Sequence, residues 1–294
     1  MVLPFAPGGG TDTTLRPIVD HMAQTLGQQV LFEYKPGGGG MVAGLYVKSA
    51  PPDGYTIYHV ASTAIIRSLG DNPPVNILRD FSFISPNAGG ALVVVVHPGQ
   101  VKARTLKELI EESRVNPGQL NYASYGTGTA GHMLAELLAN EAKVKWVHVP
   151  YQGTAQAATE TVAGRTQITF LGMATLGPFV AADGGAVRLR MLAVSTAERW
   201  PLNPDVPGMK ESGFPQIDFQ PWSGFIGPAG MPGEVVNRLN QAVSLAHKDP
   251  KVIEVYRKLQ LIPVSGTPED MRRRVEAEYR QFNQLIKDSG IKLE

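Results

Sequence analysis

Cysteine is absent from the 294 residues, which excludes thiol nucleophiles, disulfides, iron–sulfur clusters and cysteine-ligated zinc. That absence suits the cytosol and the periplasm equally. Charge is scarce as well: charged residues make up 18% of the chain, and 27 basic against 26 acidic residues leave a net charge of +1. A chain so close to neutral has no field with which to hold nucleic acid or an anionic membrane at a distance. Any anion it binds must be caught by local contacts. Long apolar runs are missing too, the longest being the six residues Ala91 to Val96, against the ~20 that a membrane-spanning helix needs. No Gly-Lys-Ser/Thr phosphate loop occurs, and His21, His59, His97, His132, His148 and His247 show no metal-ligand spacing. Neither a metal nor a cofactor is expected.

What the chain does hold is turns, with 32 Gly and 23 Pro in a sequence that is 43% hydrophobic. Such a composition describes a folded, turn-rich protein of one large domain or two ordinary ones. It opens on a strand-like Val2-Leu3-Pro4-Phe5 with no basic region and apolar core of a secretory signal. The expectation is a mature form whose leader has been removed, with Met1 an added start.

Strand-like and helix-like segments alternate from end to end, which predicts an α/β fold with mostly parallel pairing. Strands are expected at Val2 to Phe5, Val30 to Tyr34, Thr56 to Val60, Ala91 to Val96, Leu120 to Ala123, Trp146 to Val149, Ile168 to Leu171 and Leu189 to Val194. After Asp12, Leu15, Ile18, Val19, Met22 and Leu26 mark one face of a helix, with Pro17 in its first turn or two. Thr105 begins another helix that Asn116-Pro117-Gly118 ends, and Thr267-Pro268-Glu269-Asp270 caps a last one running to about Ser289. Pro/Gly-rich joints at His97-Pro98-Gly99 and around Pro215 to Pro221 divide the chain into two lobes, 1–97 plus 221–294 and 98–220.

Two segments share one physical form, a short strand, a run of Gly and hydroxyl residues, then a helix. They are Phe5-Ala6-Pro7-Gly8-Gly9-Gly10-Thr11-Asp12 and Ser124-Tyr125-Gly126-Thr127-Gly128-Thr129-Ala130-Gly131-His132. Gly permits close approach of the backbone to a ligand, and the first amides of a helix lack internal partners, so such turns attract carboxylate or phosphate. One such turn is more often a plain strand-to-helix connection, but two in one chain favour binding. The second also spells G-x-G-x-x-G at Gly126, Gly128 and Gly131, yet its next strand, Trp146 to Val149, ends in Pro150-Tyr151-Gln152-Gly153 without the acidic residue that would read a ribose. Ser124 with His132 or His148 can be imagined as nucleophile and base, but nucleophile-elbow flanks and an orienting acid are missing. Arg272-Arg273-Arg274 lies among Glu276, Glu278 and Arg280 and reads as a solvated helix face. Trp222 is either core or the wall of a ligand cleft.

Several stretches taken in order carry a family likeness: Pro4 to Asp12, Lys35-Pro36-Gly37-Gly38-Gly39-Gly40, Pro52-Asp53-Gly54-Tyr55-Thr56, Asn116-Pro117-Gly118, Tyr122-Ala123-Ser124 with Gly126, Gly128, Thr129 and His132, His148-Val149-Pro150-Tyr151 with Gly153, and Trp222 with Gly224 and Pro228-Ala229-Gly230. The chain resembles, over essentially its whole length, the substrate-binding proteins of the tripartite tricarboxylate transporter family, the Bug or TctC family of bacterial extracytoplasmic receptors. The resemblance implies an α/β type II periplasmic-binding-protein fold, two lobes with a ligand cleft between them that closes by hinge motion. It also implies a small organic carboxylate as ligand, a periplasmic location, and the large and small membrane subunits of a transporter as partners. Phe5, Pro7, Gly8, Gly9, Thr11 and Asp12, with Ser62 and Thr63, would form one wall of the site. Ser124, Thr127, Gly128, Thr129 and His132 would form the other, with Tyr151 near the mouth. The chain is expected to act as a monomer and not as an enzyme.

Three positions depart from the family's pattern: Gln152 stands where Lys is common, Met41 where Asn is common, and Leu171-Gly172-Met173 lacks a frequent acidic residue. Without that acid a ligand ammonium has one partner fewer, so dicarboxylates or aromatic carboxylates are expected over amino acids. Asp12 is an ammonium partner or a helix cap. The competing reading is a small-molecule hydrolase using Ser124 and His132, and a third is a receptor that serves a sensor. Gly9→Val and Gly128→Val are expected to abolish ligand-induced stabilisation while sparing the fold.

Overall fold

The computed structural model describes residues 1–4, 7, 10–69, 73–180 and 189–289. They divide into two units. The first comprises Met1–Gly89 and Trp222–Asp288, and the second is built on Gly90–Pro221. The first crossing therefore falls at Gly89/Gly90 and not after residue 97. The reason is that Leu92–Val96, placed by the sequence reading in the first lobe, is a fully buried strand within the second unit's sheet.

In the first unit the order is β1 (Val2–Leu3), α1 (Gly10–Leu26), β2 (Glu33–Tyr34), α2 (Met41–Lys48), β3 (Tyr58–Ala61), α3 (Thr63–Arg67) and β4 (Phe81–Gly89). The second unit adds β5 (Leu92–Val96), α4 (Leu106–Val115), β6 (Asn121–Ser124), α5 (Ala130–Ala142), β7 (Val147–Pro150), α6 (Thr154–Val162), β8 (Ile168–Gly172), α7 (Met173–Val180) and β9 (Arg190–Val194). The chain then returns to the first unit with β10 (Trp222–Pro228), α8 (Gly233–Ala246), α9 (Pro250–Lys258), β11 (Ile262–Pro263) and α10 (Pro268–Ser289). One sheet has the order β11-β4-β10-β3-β1-β2 and the other β7-β6-β8-β5-β9.

Pairing is parallel among β1, β2 and β3 and among β6, β7 and β8, where helices link successive strands. Elsewhere it is antiparallel: β10 with β3 and β4, β11 with β4, and β5 with β8 and β9. The expectation of mostly parallel pairing is corrected at β5 and β10, which follow β4 and β9 without a helix between and run antiparallel to both of their neighbours.

The predicted helix faces carry the cores. Leu15, Ile18, Val19 and Met22 of α1 are at most 2% exposed and pack with Leu239, Ala242 and Val243 of α8 and Tyr256 of α9. Each such burial is worth about 1.5–3 kcal/mol. The first helix begins at Gly10, so Pro17 sits in its interior, where it withholds the amide that would reach the Thr13 carbonyl. Local capping follows the sequence closely. Thr105 Oγ1 accepts from the Glu108 amide at 3.2 Å, and Thr267 and Asp270 exchange bonds of 3.0 and 2.9 Å in a reciprocal capping box.

Three strands were not anticipated: the short β11, and β4 and β10, the most extensively paired in the first sheet. β4 reads Phe-Ser-Phe-Ile-Ser-Pro-Asn-Ala-Gly, with Ser85 and Asn87 fully buried and Pro86 in the ladder. Register shifts against β10 accommodate it, one of them leaving Asn87 as the extra residue of a bulge. Its side chain is then satisfied in the core: the amide donates to Ser223 Oγ at 3.1 Å, and Oδ1 accepts from Tyr256 Oη at 2.7 Å and faces His247 Nε2 at 3.2 Å. In β10, a Cβ on Gly224 would stand 2.5 Å from Met271 and 2.8 Å from the Ser85 carbonyl, so only Gly allows α10 onto the sheet.

Candidate ligand-binding site

In each unit the expected site residues leave the carboxyl ends of neighbouring parallel strands, the edge at which open α/β sheets bind ligands. In the first unit, β1 feeds the first Gly-rich turn and β3 feeds Ser62 and Thr63, and the two strands are paired neighbours. Phe5, Gly8 and Gly9 lie outside the described residues. Pro7 is exposed, and Thr11 and Asp12 stand half-buried in the first turn of α1. Asp12 Oδ2 accepts from Tyr34 Oη at 2.9 Å, so this carboxylate is engaged by a neighbouring strand. Ser62 is buried, with its amide on the Trp222 carbonyl at 3.0 Å, and Thr63 opens α3.

Trp222 is core. It is 4% exposed, its indole N–H donates to Glu278 Oε2 at 2.8 Å, and Arg274 lies over its ring while pairing with Glu278 at 3.0 Å. Burial raises the Glu278 pKa against the opposing pull of Arg274. Arg272 lies over Phe83 and Arg273 pairs with Asp270, so the arginine run is only partly a solvated face.

The second unit draws its expected residues together. Paired registers Ser124↔Pro150 and Tyr122↔His148 bring the turn after β6 beside the end of β7, and the Tyr151 amide donates to the Ser124 carbonyl at 2.9 Å. Gly126 and Gly128, at φ of 129° and 73°, give the turn a path that L side chains rarely follow. Gly131, the third glycine of the pattern, seats α5 on β8, since a Cβ there would stand 2.6 Å from the Phe170 carbonyl.

Sequence reasoning held the amides of this turn unpaired; the structure gives most of them acceptors nearby. Gly126 N–H donates to Ser124 Oγ at 3.1 Å, Gly128 N–H to His132 Nδ1 at 3.0 Å, Gly131 N–H to Tyr125 Oη at 3.3 Å, and Thr129 N–H to the Gly126 carbonyl at 3.3 Å. Thr129 Oγ1 donates to that same carbonyl at 2.7 Å. The turn is therefore braced by its own side chains, and the polar groups with hydrogens to redirect are hydroxyls and imidazoles.

Those imidazoles form a stack that sequence reasoning recognised only in part. His132 and His148 lie 4.2 Å apart at 13°, Tyr122 stacks on His148 at 4.9 Å, and Tyr122 Oη donates to Glu136 at 2.6 Å. Burial, joined for His132 by its neighbour His148, lowers each imidazole pKa from 6.5 to about 4. Burial likewise pushes the Tyr125 hydroxyl up to about 12, partly offset by the amides of Gly131 and Ala130. At neutral pH the two rings are therefore uncharged. Because His132 Nδ1 accepts from Gly128, its proton sits on Nε2, a neutral donor.

Ser124 Oγ stands 2.6 Å from His148 Nε2 and is not paired with His132. Its partner is thus the other histidine considered, and among the described residues no carboxylate accepts from either ring. His148, weighed as a base for Ser124 and part of a family-like stretch, was not placed in either wall of the site; the register between β6 and β7 brings it to Ser124.

Two α/β units joined by a chain that crosses twice, with Gly-rich turns at strand ends, define the class of two-lobed solute-binding receptors. The chain belongs to the family described as Tripartite tricarboxylate transporter family receptor, which it matches over residues 14–291. It is 33% identical to a UPF0065 protein from the tcbD-tcbE intergenic region of Pseudomonas sp. strain P51, over 97% of this chain and 84% of that one. Among solved structures it resembles the periplasmic binding protein BugD, with 28% identity, a TM-score of 0.82 and coverage of 99% and 97% of the two chains. An R. palustris protein with adipate is 29% identical at a TM-score of 0.84, covering 99% and 97%. MatC from Rhodopseudomonas palustris with bound malate is 27% identical at 0.82, covering 97% of each. The family is one of solute receptors, not of enzymes.

Proposed function

We propose that this receptor works in the periplasm, binds a small organic carboxylate and delivers it, as a monomer, to the membrane subunits of a tripartite tricarboxylate transporter. The observation that carries the carboxylate is the second unit's turn, where uncharged donors, the His132 Nε2–H and the Ser124 and Thr129 hydroxyls, gather at one strand edge with no cationic side chain among them. Such donors suit an oxygen acceptor that brings its own negative charge. Two relatives of similar fold hold adipate and malate, which within the expected pair favours a dicarboxylate over an aromatic acid.

The test is a thermal-shift and calorimetric screen of adipate, malate, benzoate and glutamate, with dimethyl adipate as the uncharged control. A micromolar dicarboxylate, worth about 8 kcal/mol of binding, stabilises the fold by about 2.7 kcal/mol at a hundred times its Kd. The ester and glutamate have little effect. Indifference to every acid, or consumption of the ligand with time, overturns the reading.

A further inference from the structure

The Ser124 hydroxyl has three polar neighbours: His148 Nε2 at 2.6 Å, the Gly126 amide at 3.1 Å and the Gly126 carbonyl at 3.1 Å. A serine oxygen offers one proton and two lone pairs. The Gly126 amide can only donate, so it occupies one lone pair. Were Ser124 to give its proton to His148, the contact with the Gly126 carbonyl would hold no hydrogen, and one lone pair would stay empty. If His148 instead donates from Nε2, all three contacts become hydrogen bonds at once, with Ser124's own proton on the Gly126 carbonyl. Both rings are neutral at physiological pH, their pKa lowered by burial to about 4, so each carries one proton and this count decides where it sits.

We propose that His148 is a positioning residue of the carboxylate site: by donating Nε2–H to Ser124 Oγ it compels the serine to act as a donor, aimed at the turn and from there at a ligand oxygen. The Gly126 carbonyl can release that proton at little cost, because it also receives the Thr129 hydroxyl at 2.7 Å and the Thr129 amide at 3.3 Å. Its two lone pairs are oversubscribed. The stack fixes the geometry, with Tyr122 on one face of His148 and His132 4.2 Å from its ring. A nucleophilic serine needs the reverse arrangement, an unprotonated nitrogen facing Oγ. The same 2.6 Å contact that looks like half a hydrolase therefore serves to orient a hydroxyl, and both histidines end as Nε2–H tautomers. This inference rests on the carboxylate reading for its purpose, but not for its proton count.

Two measurements test it, one of them independent of any ligand. Long-range nitrogen–proton NMR on protein labelled with 15N-histidine should show both rings as Nε2–H at pH 7; an Nδ1–H tautomer at His148 overturns the proposal. Calorimetry with adipate and with malate then compares wild type, Ser124→Ala, His148→Leu, His148→Gln and the Ser124→Ala/His148→Leu pair. Ser124→Ala and His148→Leu should each weaken binding about tenfold or more, the range of one hydrogen bond to a charged group. The pair should be no worse than Ser124→Ala within about twofold, and His148→Gln, whose amide can donate in place of Nε2–H, should recover most of the loss. Losses that multiply in the pair, or no recovery with Gln, overturn a role exerted through Ser124. If wild type binds neither acid, the carboxylate reading fails while the NMR result still decides the tautomer.

Discussion

The two units each carry a pair of histidines with the same depressed pKa, all buried but the half-buried His148, and the pairs are employed differently. In the first unit His59 lies 5.6 Å from the Phe225 ring with neither ring nitrogen hydrogen-bonded among the described residues, and His247 is tied to Asn87 and Ser265. In the second, His132 and His148 stack and each holds a group of the Gly-rich turn. Burial is the leading cause of the shift to about 4 in all four. A perturbed pKa therefore says how deep a ring lies, and only its partners say what it does.

The largest effect expected is acid sensitivity. Each of the four rings is neutral in the folded protein with a pKa of about 4 against an ordinary 6.5, so below pH 6.5 the unfolded chain takes up protons the folded one refuses. Stability is complete above about pH 6.5, falls as the pH drops toward 4, and levels off for these groups below that, with a ceiling of about 3 kcal/mol for the fully buried His59 and less for the others. Urea titrations between pH 7.5 and 4 measure it, and a flat profile would dismiss burial as the cause. Next comes Asn87→Ala, which strips acceptors or donors from Tyr256, His247 and Ser223 in the first unit's core. It should cost about 3 kcal/mol, from leaving buried polar groups unsatisfied, and should remove the order in the His247 ring that NMR would otherwise report. The smallest effect sharpens the contrast most. His59→Leu, which replaces an unpartnered ring by an apolar side chain of similar size, should raise stability by about 1–2 kcal/mol and more at pH 5 than at pH 7.5. The equivalent His148→Leu should give no such gain, and a gain at both positions would erase the distinction between the pairs.

Elements specified by near neighbours were legible in the residues. The stripe of Leu15, Ile18, Val19 and Met22, the caps at Thr105 and Thr267, and eight of the strands need only local periodicity and local hydrogen bonding. β4 was not legible because Ser85, Pro86 and Asn87 are burial-averse residues made acceptable by partners far along the chain, Tyr256 and His247 among them. The first crossing was misplaced for a related reason: His97-Pro98-Gly99 carries strong turn chemistry, but a turn is not a boundary when the strand before it pairs forward. At the site, the Gly-rich turn of Ser124 to His132 was visible as a motif, whereas its braced amides and the role of His148 were not.

By itself the amino-acid order determined most of the helices and strands, the place of the Gly-rich turns, and the absence of any thiol and of a broad net charge. Tertiary structure alone decided where each proton can go. Ser124 and His148 are 24 residues apart, and only the register of two neighbouring strands sets them within hydrogen-bonding distance. Hydrogen bonds depend on tenths of an ångström and on a count of lone pairs, neither of which a linear order of residues contains.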